Sequence, residues 1–238
     1  MTDPTPRALT FDVFGTVVDW RSSVIRQLRE FGARHGVETD WKSFADDWRY
    51  DGYIGGMQKV RAGQLPFQTA GSLHRRKLDA LLAERGITGI PESEVAELNL
   101  AWHRLDPWPD SVEGLKRLKS KFIIATLSNG NTSLLVNMAK HGGLPWDCVF
   151  SSDTFKLFKP DPGMYLGAAS MLDLTPDAVM MVAAHKPDLR AAAKCELKTA
   201  FVKRPLEHGR EATLDLASEP DFTVNAGSFL GLADQLGC

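Results

Sequence analysis

The sequence predicts an α/β protein built on a doubly wound parallel sheet, with an all-helical segment inserted after the first strand. Short apolar runs alternate with helical patterns along most of the chain, and strands separated by single helices form parallel βαβ units. Roughly a hundred residues separate the first two strands, far more than an ordinary crossover contains. The 238 residues are 43% hydrophobic and 24% charged, which is typical of a globular chain and excludes a disordered one.

Five strands are predicted from short apolar runs that contain β-branched or aromatic side chains. They are Ala8–Phe14, Phe122–Leu127, Cys148–Ser151, Val179–Ala183 and Lys198–Val202. The helices predicted between them are Ser111–Ser120, Thr132–His141, Pro162–Leu172 and Pro187–Cys195. Parallel strands joined in this way are covered by helices on both faces of the sheet.

The long interval after the first strand is predicted to be helical throughout, with breaks at segments rich in glycine and proline. Its helices are Ser22–His35, Trp41–Arg61, Phe67–Arg85 and Pro91–Leu105. We therefore expect a discontinuous core, residues 1–19 and 106–238, and a helical domain, residues 20–105.

Charge and cysteine content narrow the class of protein. The 28 basic and 30 acidic side chains give a net charge of −2, whereas a dedicated nucleic-acid binder normally shows a basic excess. Cys148, Cys195 and Cys238 lie far apart without CxxC spacing, which favours a reducing compartment and a cytoplasmic location. Met1–Arg7 lacks the apolar region of a secretory signal, and no apolar run is long enough to span a membrane.

Polar residues follow two predicted strands at the edge where doubly wound sheets bind ligands. Asp12 ends the first apolar strand and precedes Gly15, and a carboxylate there is costly unless it is paired or used. A turn or helix-capping aspartate is the alternative. Ser128 and Asn129 follow the second strand and could bind an anion or simply cap the next helix.

Two further segments carry candidate functional groups. Lys159 precedes the Asp161–Pro162 helix start and could neutralise a carboxylate, although a lone lysine is more often exposed. His185 and Asp188 follow the fourth predicted strand. A surface histidine and an N-terminal helix carboxylate are the alternatives for these two residues.

Taken in order, these segments resemble the four motifs of the haloacid dehalogenase superfamily: a strand-end Asp, a strand-end Ser or Thr, a Lys, and a strand-end acid. The resemblance covers nearly the whole chain and implies a Rossmann-like core whose helical insert is the cap domain. Most members are magnesium-dependent phosphatases. Their first motif contains a second Asp, but this chain has Phe14 at that position. One of the metal-binding acids of their fourth motif is replaced here by Ala184. Alanine offers magnesium no oxygen ligand, so we expect no metal site.

At these two positions the chain instead resembles the 2-haloacid dehalogenase branch. It also resembles that branch in three segments: Leu-Ser-Asn-Gly, Lys-Pro-Asp-Pro-x-x-Tyr and the closing Arg-Pro-x-Glu-x-Gly at 204–209. The resemblance implies cofactor-free hydrolysis of short 2-haloalkanoic acids to 2-hydroxy acids and halide, through an ester on Asp12. It implies that Lys159 holds Asp12 ionised and that Asp188 positions or activates the water. It also implies S substrates and R products.

Substrate-binding roles are carried over in the same way. The resemblance implies that Thr16, Ser128 and Asn129 bind the substrate carboxylate. It implies that Tyr165 supports Lys159 or the pocket wall, and that Arg49 receives the leaving halide unless it is a solvated helix arginine.

Aromatic residues and one histidine complete the candidate site. Phe14, Trp48 and Tyr53 are candidates for an apolar wall or for the core of the cap, which spacing cannot separate. Members of the branch often have Ser-x-Asn where this chain has Ala183 and His185. His185 could therefore donate to the halide, tune the water, or shift substrate choice toward fluoride.

The expected partners are a 2-halocarboxylate, water and a second copy of the chain in a homodimer, with no nucleic acid and no membrane. The alternatives are a phosphatase with an atypical metal site and a non-catalytic relative that kept the fold.

Overall fold

A six-stranded parallel sheet forms the centre of the molecule, which a computed structural model describes for residues 5–238. The strands are β1 (Ala8–Phe11), β2 (Val18–Asp19), β3 (Asp106–Pro107), β4 (Ile123–Ser128), β5 (Cys148–Ser151), β6 (Val179–Ala183), β7 (Lys198–Val202) and β8 (Val224–Ala226). The sheet order is β5-β4-β1-β6-β7-β8, and β2 and β3 form a separate antiparallel pair. The predicted α/β class with a doubly wound parallel sheet is confirmed. The first four residues of the Met1–Arg7 segment lie outside the described part of the chain.

Helices cover the sheet and fill the interval between β2 and β3. They are α1 (Trp20–His35), α2 (Trp41–Asp47), α3 (Gly55–Arg61), α4 (Ala70–Glu84), α5 (Glu92–Asn99), α6 (Ser111–Lys119), α7 (Thr132–Gly142), α8 (Ser152–Phe155), α9 (Pro162–Met171), α10 (Lys186–Lys194) and α11 (Phe229–Gln235). Short 3₁₀ turns occupy Leu100–His103 and Pro176–Ala178. None of the helices in residues 5–238 has both the length and the apolarity to cross a membrane.

The first strand is shorter than the sequence predicts, because the chain leaves the sheet after Phe11. The amide of Asp12 still donates to the Val182 carbonyl at 3.0 Å, but the chain then turns through Gly15, whose φ is +81°. A positive φ of this kind favours glycine. The early turn leaves Asp12 at the carboxyl edge of the sheet.

The predicted helix Trp41–Arg61 is one continuous helical run with a π-helical turn in its middle. The turn covers Trp48–Ile54, and such turns are frequent at functional sites. Arg49 and Tyr53 both lie within it. Apolar periodicity does not distinguish π from α geometry, so the sequence could not reveal this turn.

The last strand and the last helix were not predicted. β8 has only three residues, and α11 buries Phe229 and Leu232 against α6. Gly114 of α6 allows this close packing, because a Cβ there would lie 2.4 Å from the Phe229 Cβ.

One hydrophobic cluster joins the helical insert to one face of the sheet. Leu28 and Trp102 of the insert share it with Leu9 and Phe11 of β1. A second cluster on the opposite face contains Leu189 of α10. The insert therefore packs against the face of the sheet to which Leu9 and Phe11 belong.

Candidate active site

One buried lysine is shared by two carboxylates at the carboxyl edge of the sheet. Lys159 lies before α9, and its Nζ is 3.0 Å from Asp12 Oδ1. The same ammonium donates to Oδ2 of Asp188, which lies in the first turn of α10. The side chains of Lys159, Asp12 and Asp188 are only 6%, 12% and 10% exposed, so water screens these charges weakly.

Electrostatics keep the central carboxylate ionised. Burial alone would raise the pKa of Asp12, but Lys159 and His185 outweigh burial and hold this pKa far below its usual range. Burial likewise opposes the charge of Lys159, and the two carboxylates outweigh it and raise the pKa of the lysine. Asp12 is therefore an anion flanked by cations, as a carboxylate nucleophile requires.

The second oxygen of Asp12 is held by two side chains. The Thr16 hydroxyl donates to Oδ2 at 2.7 Å and accepts from the Ala184 amide at 3.0 Å. Nδ1 of His185 lies 3.0 Å from the same oxygen. Thr16 itself is fully buried and orients Asp12, and its binding of substrate stays a prediction.

His185 is bound on its other side by Glu207, in the loop after β7. Nε2 lies 3.0 Å from both carboxylate oxygens of Glu207. Burial would lower the pKa of His185, but the hydrogen bonds to Asp12 and Glu207 and the charges of these two carboxylates together outweigh burial and raise this pKa to about 10. The ring is thus an imidazolium between two carboxylates.

A cavity of about 270 Å³ lies between this cluster and the helical insert. The insert contributes Arg49, Tyr53, Ile54 and Met57, which all come from the π-helical turn or from α3. The other lining residues are Asp12, Phe14, Asn129, Lys159, Pro160, His185, Pro187 and Asp188. The pocket is large enough for a small organic acid.

Arg49 lines the same pocket as the carboxylates and lies within a cage of aromatic rings. Its guanidinium carbon is 5.3 Å from the Phe14 centroid, 4.7 Å from that of Trp20 and 5.7 Å from that of Tyr53. Arg49 is 7% exposed, and in the described part of the chain neither its Nη1 nor Tyr53 Oη has a hydrogen-bond partner. A buried cation with an unused donor is a site for an anion.

The sequence of this chain matches a known protein family. The model of the haloacid dehalogenase-like hydrolase family matches residues 6–196. This chain belongs to the haloacid dehalogenase-like hydrolases. The resemblance on which the sequence analysis rests is confirmed.

Several relatives of this hydrolase are named as 2-haloacid dehalogenases. (S)-2-haloacid dehalogenase 4A of Burkholderia cepacia is 29% identical over 211 residues, which cover 83% of each chain. A solved structure of a defluorinating L-2-haloacid dehalogenase is 47% identical with a TM-score of 0.94, over 98% of this chain and 96% of that one. Another L-2-haloacid dehalogenase structure is 46% identical with a TM-score of 0.93, over 98% and 99%.

One residue expected near the substrate of this hydrolase, Tyr165, does not line the pocket. Tyr165 is fully buried, and its hydroxyl donates to Asp188 Oδ1 at 2.5 Å. Burial and the nearby Asp188 charge raise the pKa of Tyr165, so it remains a donor. Tyr165 thus holds Asp188 in place, and its support of Lys159 or of the pocket wall stays a prediction.

Ser128 ends β4 and Asn129 follows it, and their side chains are placed differently. Asn129 lines the pocket, and its Oδ1 accepts from the Lys159 amide at 2.7 Å. Ser128 is fully buried and its hydroxyl accepts from the Gly130 amide at 3.1 Å. Ser128 thus helps to shape this loop, and its direct contact with the substrate stays a prediction.

Of the three aromatic candidates, Phe14 and Tyr53 line the pocket and Trp48 does not. Trp48 is fully buried in the helical insert, where Nε1 donates to the His74 carbonyl at 2.8 Å and the ring packs 5.4 Å from that of Trp102. Trp48 thus packs inside the helical insert, and a contact between Trp48 and substrate stays a prediction.

The sequence pattern does not identify Glu207 as a site residue. The closing motif contains it, but only the folded chain places its carboxylate, 3% exposed, beside His185. Gly15 makes room for it, because a Cβ on Gly15 would lie 2.0 Å from Glu207 Oε1.

Residues 5–238 contain no group of three or more His, Cys, Asp or Glu side chains arranged to hold a metal ion.

Proposed function

We propose that this protein hydrolyses the carbon–halogen bond of short 2-haloalkanoic acids and releases halide and a 2-hydroxy acid. The observation that carries the proposal is that an ionised carboxylate and a buried guanidinium line one cavity of about 270 Å³. Asp12 supplies the nucleophile and Arg49 receives the departing anion.

The first step is alkylation of Asp12. Oδ1 of Asp12 attacks C2 of the substrate. This oxygen accepts a hydrogen bond from Lys159. The new C–O bond forms as the C–halogen bond breaks, and the halide leaves with the bonding electrons toward Arg49. Attack opposite the leaving group inverts C2, which agrees with the expected conversion of S substrates to R products.

The substrate carboxylate lies against Asn129 in this proposal. Asn129 lines the pocket and precedes the N-terminus of α7, whose dipole favours an anion. Phe14 and Tyr53, whose centroids are 5.7 Å apart, form the apolar wall for the alkyl group.

The second step is hydrolysis of the ester at Cγ of Asp12. Asp188 accepts a proton from the attacking water, which is general base catalysis, while Lys159 and Tyr165 hold its two oxygens in place. Collapse of the tetrahedral intermediate breaks the bond from Cγ to the ester oxygen, which takes up a proton as the 2-hydroxy acid departs. Asp12 is regenerated, and one proton is released overall.

Phe14 is consistent with this chemistry. A phosphatase needs an acid at that position to protonate a leaving oxygen, whereas a halide leaves as a stable anion. Phe14 packs beside Arg49 in the pocket, where it excludes water from the leaving group.

Halide release from 2-chloropropionate, with and without chelator, beside phosphate release from a generic phosphate ester, tests the proposal. We expect chelator-insensitive chloride release and no phosphate release. Chelator-sensitive phosphate release without chloride release would establish the phosphatase alternative, and no turnover of either substrate would establish a non-catalytic relative.

A homodimer and a cytoplasmic location are further parts of the proposal. The resemblance supports the first, and the absence of disulfides between Cys148, Cys195 and Cys238 in the described structure supports the second. A solution mass of one chain would contradict the homodimer, and recovery in an extracytoplasmic fraction would contradict the location.

A further inference from the structure

His185 bridges the nucleophile and a second carboxylate that the proposed reaction does not use. Nδ1 lies 3.0 Å from Asp12 Oδ2, and Nε2 lies 3.0 Å from each oxygen of Glu207. Both ring nitrogens therefore face carboxylates, and only the imidazolium can donate to both.

The charges around the ring favour that protonated form. Asp12 and Glu207 contact it directly, and Glu207 also has His208 Nε2 at 3.8 Å and Arg49 nearby. Burial would raise the pKa of Glu207, but the hydrogen bond from His185, together with the charges of His185, His208 and Arg49, outweighs burial and lowers this pKa. Glu207 is thus a buried anion whose direct hydrogen-bond partner is His185.

The two oxygens of Asp12 have different surroundings. Oδ1 accepts from Lys159, whereas Oδ2 accepts from the Thr16 hydroxyl and faces His185 Nδ1. When Oδ1 becomes the ester oxygen, Oδ2 becomes the ester carbonyl. Water attack at Cγ then places a negative charge on Oδ2, where two donors already point.

We propose that His185 is a catalytic residue that stabilises this oxyanion by donating Nδ1–H to Oδ2, and that Glu207 is the positioning residue that keeps His185 protonated. This inference rests on the proposed function. Preorganised donors aimed at a developing oxyanion are effective because they need no rearrangement during the reaction.

Glu207 matters most after the first step. Asp12 is an anion in the free enzyme but becomes a neutral ester once alkylated. The ester no longer supports the charge of His185, so Glu207 is left as the carboxylate in direct contact with the ring. Loss of the Glu207 charge should therefore slow ester hydrolysis more than alkylation.

The local backbone is built to admit this carboxylate. Gly15 has no side chain where Glu207 Oε1 lies. Arg204, three residues before Glu207, donates to the Thr16 carbonyl at 2.7 Å and to Asp110 at 2.8 Å. These bonds fix the loop after β7 to the turn that carries Asp12.

The test compares Glu207→Gln with wild type and with Glu211→Gln, a matched control at an exposed position of the same loop. Rapid quench measures the first-turnover halide burst, steady-state assay measures turnover, and intact mass spectrometry measures esterified enzyme. We expect Glu207→Gln to keep a full burst, to lose about tenfold or more in steady-state turnover, and to accumulate ester. Glu211→Gln should match wild type.

The pH profile separates this role from simple support of the fold. Turnover that needs a protonated His185 falls as pH rises through the pKa of that group, so a lower pKa moves the fall to lower pH. We expect Glu207→Gln to lose turnover at lower pH than wild type. An unmoved profile, or equal slowing of burst and turnover, would overturn the inference.

A second measurement needs no variant. Nitrogen NMR of His185 in the wild-type enzyme should show both ring nitrogens protonated at pH 8, and a neutral ring would overturn the inference. Absence of halide release by the wild type would instead overturn the proposed function, so the two failures are distinguishable.

Discussion

Replacement of Lys159 by Met should disable the nucleophile while keeping most of the side-chain volume. The ammonium lies 3.0 Å from Asp12 and also contacts Asp188. At an effective dielectric constant of about 20, one such pair interacts by about 5 kcal/mol, and removing one member of a buried pair costs about 3–5 kcal/mol. Because each 1.4 kcal/mol is about a factor of ten in rate, we expect single-turnover halide release to fall about 10²- to 10⁴-fold.

The direction of the pH dependence follows from the same contacts. In the wild type the pKa of Asp12 is held far below its usual range, so acid inactivates the nucleophile only at very low pH. Without Lys159, two neighbouring carboxylates repel and one of them binds a proton. The acid limb of the rate profile should therefore move to higher pH in Lys159→Met, and raising the pH should restore part of the rate.

The assay is rapid-quench halide release at a series of pH values, with circular dichroism to establish that the variant is folded. Lys156→Met is the matched control, because Lys156 is exposed three residues earlier. A folded Lys159→Met enzyme with the wild-type rate and an unmoved acid limb would refute the reasoning.

Three further substitutions probe other parts of the structure. Arg49→Met removes the cation from the aromatic cage and should slow first-turnover chloride release about 10²-fold; an unchanged burst would argue against its halide role. Trp48→Phe removes the hydrogen bond to the His74 carbonyl and should lower the free energy of unfolding in urea by about 1–3 kcal/mol, with little change in kcat/KM. Gly15→Ala should lower both stability and steady-state turnover, because φ is +81° and the new Cβ would lie 2.0 Å from Glu207; wild-type turnover would contradict the close packing.

The sequence could locate Asp12, Asn129 and Asp188 because each follows a buried strand of a parallel sheet. The carboxyl ends of such strands meet at one edge, so residues far apart in the chain become neighbours without any knowledge of loop geometry. Lys159 and Arg49 needed the family resemblance, since neither strand position nor spacing identifies a single cation.

The roles of the other predicted residues depend on side-chain direction, which a one-dimensional pattern does not contain. Trp48 and Arg49 are adjacent in the π-helical turn, yet one is buried in the cap and the other lines the pocket. Thr16 and Tyr165 lie close to the expected site but donate to Asp12 and Asp188 rather than line the cavity. Hydrogen-bond partners of this kind are set by tertiary packing.

The sequence pattern could not identify Glu207 for a different reason. It lies in a loop after β7 rather than directly at a strand end, and its position depends on the absent side chain of Gly15 and on the bonds made by Arg204. The closing motif at 204–209 can be recognised in the sequence. Only the folded chain shows that this motif places a buried carboxylate beside His185.

The central claim is that Asp12 itself forms the covalent intermediate. A single turnover of 2-chloropropionate in heavy-oxygen water, with enzyme in excess, tests it most directly, followed by mass spectrometry of the peptide that contains Asp12 and of the product. Water attack at Cγ should place the heavy oxygen in the Asp12 carboxylate and leave the first-turnover hydroxy acid unlabelled. Heavy oxygen in the product with an unlabelled Asp12 would show direct attack by water on the substrate and contradict the ester mechanism.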